Sequence, residues 1–155
     1  MHLDRILVPL DGSAIAETAL DTAIELARLE PGAALLLIRA ADAPPAPGSD
    51  PRARQDAVIR EAELYLGEMA GRVRARGIPR VQTTVRNGAA ARAIVEAAER
   101  DAVDLIVMST HGRTGLRRVV LGGVATAVLG GTKIPVLLVR DEEAPVSRPP
   151  GLVEA

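Results

Sequence analysis

The sequence predicts an α/β fold: a doubly wound sheet of five parallel strands, order 3-2-1-4-5, with helices on both faces. Three observations carry this reading. Four short segments are continuously apolar rather than alternating, the mark of strands buried on both faces. Longer segments between them place apolar residues at helical spacing. Strand and helix patterns alternate along the chain, and right-handed crossovers then wind such a series into one open sheet.

The first strand reads Ile6–Leu10, closed by Pro9 and Asp11. A helix follows, with Ser13 as N-cap, an apolar stripe of Ala16, Ala19, Leu20, Ala23, Ile24 and Ala27, and Pro31-Gly32 as its stop. The second strand is Ala34–Ile38, from which Arg39, Ala40 and Ala41 emerge. A Pro-rich stretch, Ala41 to Pro51, reads as a mobile loop and a candidate lid. Val58, Ala62, Tyr65, Leu66, Met69 and Val73 form a second helical stripe, ended by Gly77 and Pro79. The third strand, Val81–Val85, is more polar but rich in β-branched residues. Asn87-Gly88 opens a third helix with Ala90, Ile94, Ala97 and Ala98 inward. Leu105–Met108 is the fourth strand. Val120, Val124, Ala127 and Val128 mark a fourth helix that closes near Gly130-Gly131, before the fifth strand, Val136–Val139. Residues 1–140 thus form one domain, and 141–155, with three prolines and several charges, read as a flexible tail.

Composition narrows the function classes. The chain has 155 residues, 48% of them apolar, with no Phe, no Trp and the single Tyr65, so its core is aliphatic. Single-stranded nucleic acid, which is held on aromatic platforms, is a poor partner for such a chain. A formal net charge of −1 gives no drive towards DNA or anionic lipid. The absence of cysteine excludes disulfides and thiolate chemistry. With no signal-peptide pattern and no run near the ~20 apolar residues of a membrane span, a cytoplasmic protein is expected.

Ligands of doubly wound sheets sit beyond the carboxyl ends of the strands, where strand order reverses. In the expected order that point lies between strands one and four. The residues leaving strand four read Ser109-Thr110-His111-Gly112-Arg113-Thr114-Gly115, a glycine-punctuated loop that feeds a helix. Such a loop offers backbone N–H groups to a phosphate, and the helix start adds partial positive charge. It is not a P-loop, because the only lysine, Lys133, lies downstream of the glycines. Nor does Pro9-Leu10-Asp11-Gly12-Ser13 match the dinucleotide turn that would follow strand one. Gly112 lets backbone approach a phosphate, and Gly122 and Gly123 present unpaired N–H donors where the last helix begins. Gly122-Gly123 equally fits a close-packing spot between helix and sheet. Asp11 would repel phosphate and instead accepts from a ribose hydroxyl or an adenine amine, unless it serves only the helix start. Small Ala40 leaves room for a flat base. His111 has no partner at metal-ligand spacing and reads as a loop histidine. Arg113, Arg117 and Arg118 form a basic cluster, on a solvated face or against a terminal phosphate.

At these residues the chain resembles the universal stress protein family, from Arg5 to Arg140. Ile6-Leu7-Val8-Pro9-Leu10-Asp11-Gly12-Ser13 is similar to the family's first strand and aspartate. Asp104 to Met108 and Pro135 to Val139 are similar to its fourth and fifth strands. The ATP-binding branch carries Gly-x2-Gly-x9-Gly-Ser/Thr, which falls here on Ser109, Gly112, Gly122 and Gly123. Ser109 replaces the first glycine, and Gly123 replaces the hydroxyl residue. The resemblance implies a Rossmann-like, adenine nucleotide alpha hydrolase-like fold and an ATP-binding regulatory switch, with ADP or AMP also held. The implied contacts are Pro9, Leu10, Asp11, Ala40, Met108, Ser109, His111, Gly112, Arg113, Gly122, Gly123 and Val124. Mg²⁺ or Mn²⁺ would enter with the nucleotide, held by phosphate oxygens because few carboxylates are near. The resemblance also implies a homodimer, and an apolar edge at Val136–Val139 would be covered by self-pairing.

Other classes fit less well. A receiver domain needs a carboxylate ending strand three, where this chain reads Val85-Arg86-Asn87. A flavodoxin needs a Ser/Thr-rich loop after strand one and an aromatic against the flavin. An ATP pyrophosphatase needs Ser-Gly-Gly-x-Asp-Ser where Asp11-Gly12-Ser13-Ala14 stands. No nucleophile–base pair is visible, so at most slow ATP hydrolysis is expected. The alternative to a nucleotide switch is a nucleotide-independent dimeric interaction protein of the same fold.

Overall fold

A computed structural model describes residues 1–111 and 121–140. Its elements run β1 (Arg5–Pro9), α1 (Ala14–Leu29), β2 (Ala34–Ala41), α2 (Pro51–Ala75), β3 (Val81–Asn87), α3 (Ala90–Arg100), β4 (Leu105–Ser109), α4 (Gly123–Gly131) and β5 (Val136–Val139). The sheet has five strands in the order β3-β2-β1-β4-β5, with every neighbouring pair parallel.

Alternation along the strands divides the core in two. Ile6, Val8, Leu35, Leu37 and Val107 pack against α1 and α2. Leu7, Leu36, Ile38, Ile106 and Met108 pack against α3 and α4. Both faces are covered over β1, β2 and β4, which is why these strands read as unbroken apolar runs. The stripe of α1 is buried as its spacing predicts, from Ala16 to Ala27. Ser13 caps it, its hydroxyl accepting from the Ala16 N–H at 3.3 Å. Gly12, at φ +85°, supplies the left-handed turn from β1 into that cap.

Several boundaries and one helix face differ from the sequence reading; β1 begins at Arg5 and β4 runs on to Ser109. β1 ends at Pro9, so Leu10 lies just beyond it, still hydrogen-bonded through its N–H to the Ile38 carbonyl at 2.8 Å. β2 continues through Arg39, Ala40 and Ala41, because seven register pairs with β3 hold it extended as far as Ala41–Asn87. β3 likewise runs to Asn87 rather than Val85. α2 begins at Pro51, seven residues before Val58; Asp50 caps it, and proline is suited to its first turn. In α4 the buried residues are Ala125 and Val128, whereas Val124 and Ala127 are exposed. The helix starts at Gly123, and its short apolar sequence, alanine and valine on all sides, gave no polar face from which to set the phase.

The segment from Asp42 to Asp50 is tied to its surroundings. Gln55 accepts from the Ala43 N–H at 3.0 Å and donates to the Ala41 carbonyl at 2.9 Å, and Arg54 donates to the Pro44 carbonyl. No helix among the described residues is long and apolar enough to cross a membrane. The 141–155 tail, Val120, and the loop residues Gly112, Arg113, Gly115, Arg117 and Arg118 lie outside the described residues.

Candidate functional site

The strands do not part evenly at their carboxyl ends. β1 stays joined to β2 through five register pairs, and the Leu10 N–H extends that ladder. β4 stays joined to β5 through Ser109–Val139, and the Thr110 N–H then donates to the Val139 carbonyl at 3.0 Å. Between β1 and β4 the register covers only Ile6–Leu105 and Leu7–Ile106. The sheet therefore opens at its centre, where the strand order reverses. The opening lies between the ends of β1 and β4 and is bordered by the end of β2 and the start of α4.

Pro9 ends β1 and is partly exposed there. Leu10 is buried in the core beneath α1 and α2, so it contributes backbone at this position. Asp11 is partly exposed, and its Oδ1 accepts from the Ser13 N–H at 2.9 Å and from the Ser13 hydroxyl at 2.5 Å. Its carboxylate is thus engaged with the α1 cap as well as standing beside the opening. Ala40, on the same face of β2 as Leu36 and Ile38, is partly exposed at the strand end.

On the other bank Met108 is buried in the α3–α4 core. Ser109 is nearly buried, its hydroxyl donating to the His111 carbonyl at 2.8 Å, so the side chain that replaces glycine fastens the turn. The Thr110 hydroxyl is 3.0 Å from His111 Nδ1. His111 Nε2 is buried and has no hydrogen-bond partner among the described residues.

Gly122 and Gly123 separate in role. The Gly122 N–H donates to the Thr110 carbonyl at 2.8 Å, so it is not the unpaired donor that its place at a helix start suggested. A Cβ on Gly122 would stand 2.7 Å from that oxygen; this glycine is a close-packing position. A Cβ on Gly123 would meet nothing within 4 Å among the described residues. Gly123 is exposed in the first turn of α4, where N–H groups have no intrahelical acceptor. Val124, next to it, is 42% exposed.

Two residues beside the opening carry no signal in a motif search. Thr110 fastens β4, β5 and α4 together through its N–H and carbonyl. Arg39, buried at the end of β2 on the α1–α2 side, lies 5.0 Å from the ring centre of Tyr65 and 3.4 Å from Glu61. Tyr65 in turn donates to Glu17 at 3.2 Å, and Glu17 pairs with Arg72 at 2.9 Å. Burial and the neighbouring Glu17 carboxylate push the Tyr65 phenol up to about 12, with Asp11 adding to the rise. An arginine directly after the apolar run of β2 was the available sign of this cluster. Among the described residues no group of three or more His, Cys, Asp or Glu could hold a metal ion.

The model of the universal stress protein family matches residues 2–140. Universal stress protein MJ0531 of Methanocaldococcus jannaschii is 33% identical over 140 residues, covering 88% of this chain and 81% of that protein. Universal stress protein Rv2005c of Mycobacterium tuberculosis is also 33% identical over 140 residues, but the chain spans only 45% of its length. Among solved structures, a universal stress protein in complex with cAMP superposes with a TM-score of 0.70 at 26% identity, covering 90% of this chain and 98% of that one. The universal stress protein of Archaeoglobus fulgidus in complex with dAMP does so with a TM-score of 0.65 at 25% identity, covering 89% and 98%. With its family model spanning nearly all of 1–140 and its sheet order as expected, the chain belongs to the universal stress protein family.

Proposed function

We propose that the opening between β1 and β4 binds an adenine nucleotide, ATP or its ADP and AMP forms, and that the protein acts as a nucleotide-dependent regulatory switch. The observation that carries this is the parting of β1 from β4 after two register pairs at the point of strand-order reversal. Family members holding cAMP and dAMP support it. In this reading Ala40 and Pro9 flank the base, and Asp11 accepts from the ribose or the adenine amine while remaining bonded to Ser13. Gly123 and the first N–H groups of α4 face the phosphates, with Gly112 and Arg113 adding contacts from the loop. Ser109 and Gly122 shape the turn rather than contribute free donors, while His111 Nε2, without a partner among the described residues, is a further contact. Mg²⁺ or Mn²⁺ is carried by phosphate oxygens, since Asp11 is the one carboxylate the reading places there.

Homodimerisation through β5 belongs to the same reading. Its four residues are all apolar, and Leu137 on the strand and Leu129 on α4 are 37% and 42% exposed. Cytoplasmic residence, and a tail beginning at Asp141 that lies outside the domain, complete it. The second reading, a nucleotide-independent dimeric interaction protein, is favoured by the Gly122 N–H being engaged with Thr110. Purified protein denatured and assayed by ion-exchange chromatography separates the two. Near-stoichiometric adenine nucleotide supports the switch; nucleotide-free protein that also fails to bind added AMP or ATP supports the alternative.

A further inference from the structure

The sheet has a second edge whose chemistry is unlike that of β5. Among the described residues β3 pairs with β2 alone, over all seven of its residues, and shows no bulge and no proline. Such an edge is a row of backbone donors and acceptors of the kind proteins usually blunt, and at its start Arg74 of α2 donates to the Val81 carbonyl at 3.5 Å. Crossover geometry explains why it stays open. α2 returns from β2 to β3 on one face, but α3 leaves β3 for β4 across the other and packs over β2 rather than over β3.

Two clefts follow this edge. One, of about 710 Å³, straddles it: its walls are Ile59 and Glu63 of α2 on one side and Arg92 and Glu96 of α3 on the other, with Val85 and Arg86 between. That is where a sixth strand would lie. The other, of about 430 Å³, continues along the α3 side towards Arg5, Arg80 and Asp101, and Arg100 borders both. Positive charge dominates them. Glu96 and Asp101 are already paired, with Arg92 at 3.4 Å and Arg100 at 2.7 Å. Arg5 and Arg80 donate to the neutral carbonyls of Asp101 and Gly32. This leaves Arg5, Arg80 and Arg86 against the single carboxylate of Glu63, a local excess in a chain of net charge −1.

We propose that the β3 edge is a docking site for an extended acidic segment of a partner protein, added as a sixth strand with its carboxylates facing Arg80 and Arg86. The open ladder selects polypeptide, the flanking guanidiniums select acidic side chains, and seven residues of β3 give about 20 Å of pairing. The β3 edge, carrying Gln82, Thr83 and Thr84, is more polar than the wholly apolar β5 edge. Partner docking is thereby separated from the nucleotide opening and from the β5 edge.

Fluorescence anisotropy of a labelled alternating Glu-Val octapeptide, with Lys-Val and backbone N-methylated Glu-Val versions as controls, tests this. Saturable binding of the Glu-Val peptide below about 1 mM is expected, weakening with added salt and absent for both controls. Hydrogen exchange of the amides in 81–87 should slow when it binds. The Arg80→Gln/Arg86→Gln variant, with unchanged circular dichroism, should lose about three- to tenfold in affinity. No binding at that concentration, equal binding of the Lys-Val or N-methylated peptide, or displacement by oligothymidylate would each overturn the proposal.

Discussion

Gly122→Ala tests the structural role assigned to the start of α4. The added Cβ would stand 2.7 Å from the Thr110 carbonyl oxygen and 3.5 Å from His111 Cα, both backbone atoms that cannot rotate away. To make room, α4 must move from the end of β4, and the 2.8 Å Gly122–Thr110 hydrogen bond stretches or breaks. Overpacking of this kind costs about 1–3 kcal/mol, and loss of the bond adds about 1. For a chain of this size each kcal/mol lowers Tm by about 2–4 °C, so a fall of roughly 5–15 °C is expected. Gly123→Ala is the control. Its Cβ meets nothing within 4 Å among the described residues, and alanine is the better helix former, so its Tm should match or slightly exceed the wild type. Differential scanning calorimetry reads both. A Gly122→Ala midpoint within about 2 °C of the Gly123→Ala one would refute the close-packing argument.

Other perturbations reach other parts of the account. Tyr65 is the only tyrosine in a chain without tryptophan, so absorbance at 295 nm titrates it alone. Its midpoint should lie near 12 in the folded protein and near 10 in denaturant. Because the folded value is the higher one, the stability this residue contributes is complete below about pH 10 and is lost as pH rises towards 12; coincident midpoints would remove it. Ala102, at φ +47° after α3, sits where L-residues are strained by about 1–2 kcal/mol, partly offset by the entropy glycine loses on folding. Ala102→Gly should therefore raise Tm by a few degrees, and an unchanged or lower midpoint in a thermal melt would contradict the strain. Leu137→Glu on the exposed side of β5 should convert a dimer to monomer in light scattering without unfolding it; a dimer that persists would place the interface elsewhere.

The fold was largely legible because the inner strands β1, β2 and β4 are buried on both faces, and continuous apolar runs have few other uses. Where the reading slipped, polarity was the cause. Arg39 and Ala40 looked like residues leaving β2 because a charge usually ends a buried strand. Here Arg39 stays in the strand by laying its guanidinium against Tyr65 and Glu61. α4 was set in the wrong phase because alanine, valine and glycine surround it, and Val124 turned outward. The site was legible by position but less so by role. Sequence spacing brought Asp11, Ala40, Ser109 and Gly122 to one end of the sheet and offered Asp11 both a ligand and a helix-start role, yet could not say that Asp11 braces the Ser13 cap or that Gly122 spends its N–H on Thr110. The Gly122–Thr110 bond joins residues on two different elements across the loop, where no local pattern points.

Adenine-nucleotide binding at the β1–β4 opening is tested most directly by isothermal calorimetry of the wild type and Gly123→Val with AMP and with ATP. A Cβ at 123 has no neighbour within 4 Å among the described residues, whereas valine there would crowd a phosphate brought to the first turn of α4. The account predicts that the wild type binds both nucleotides and that Gly123→Val loses more affinity for ATP than for AMP while keeping its fold. Absence of binding heat from the wild type, or equal ATP affinity in the two proteins, would contradict it.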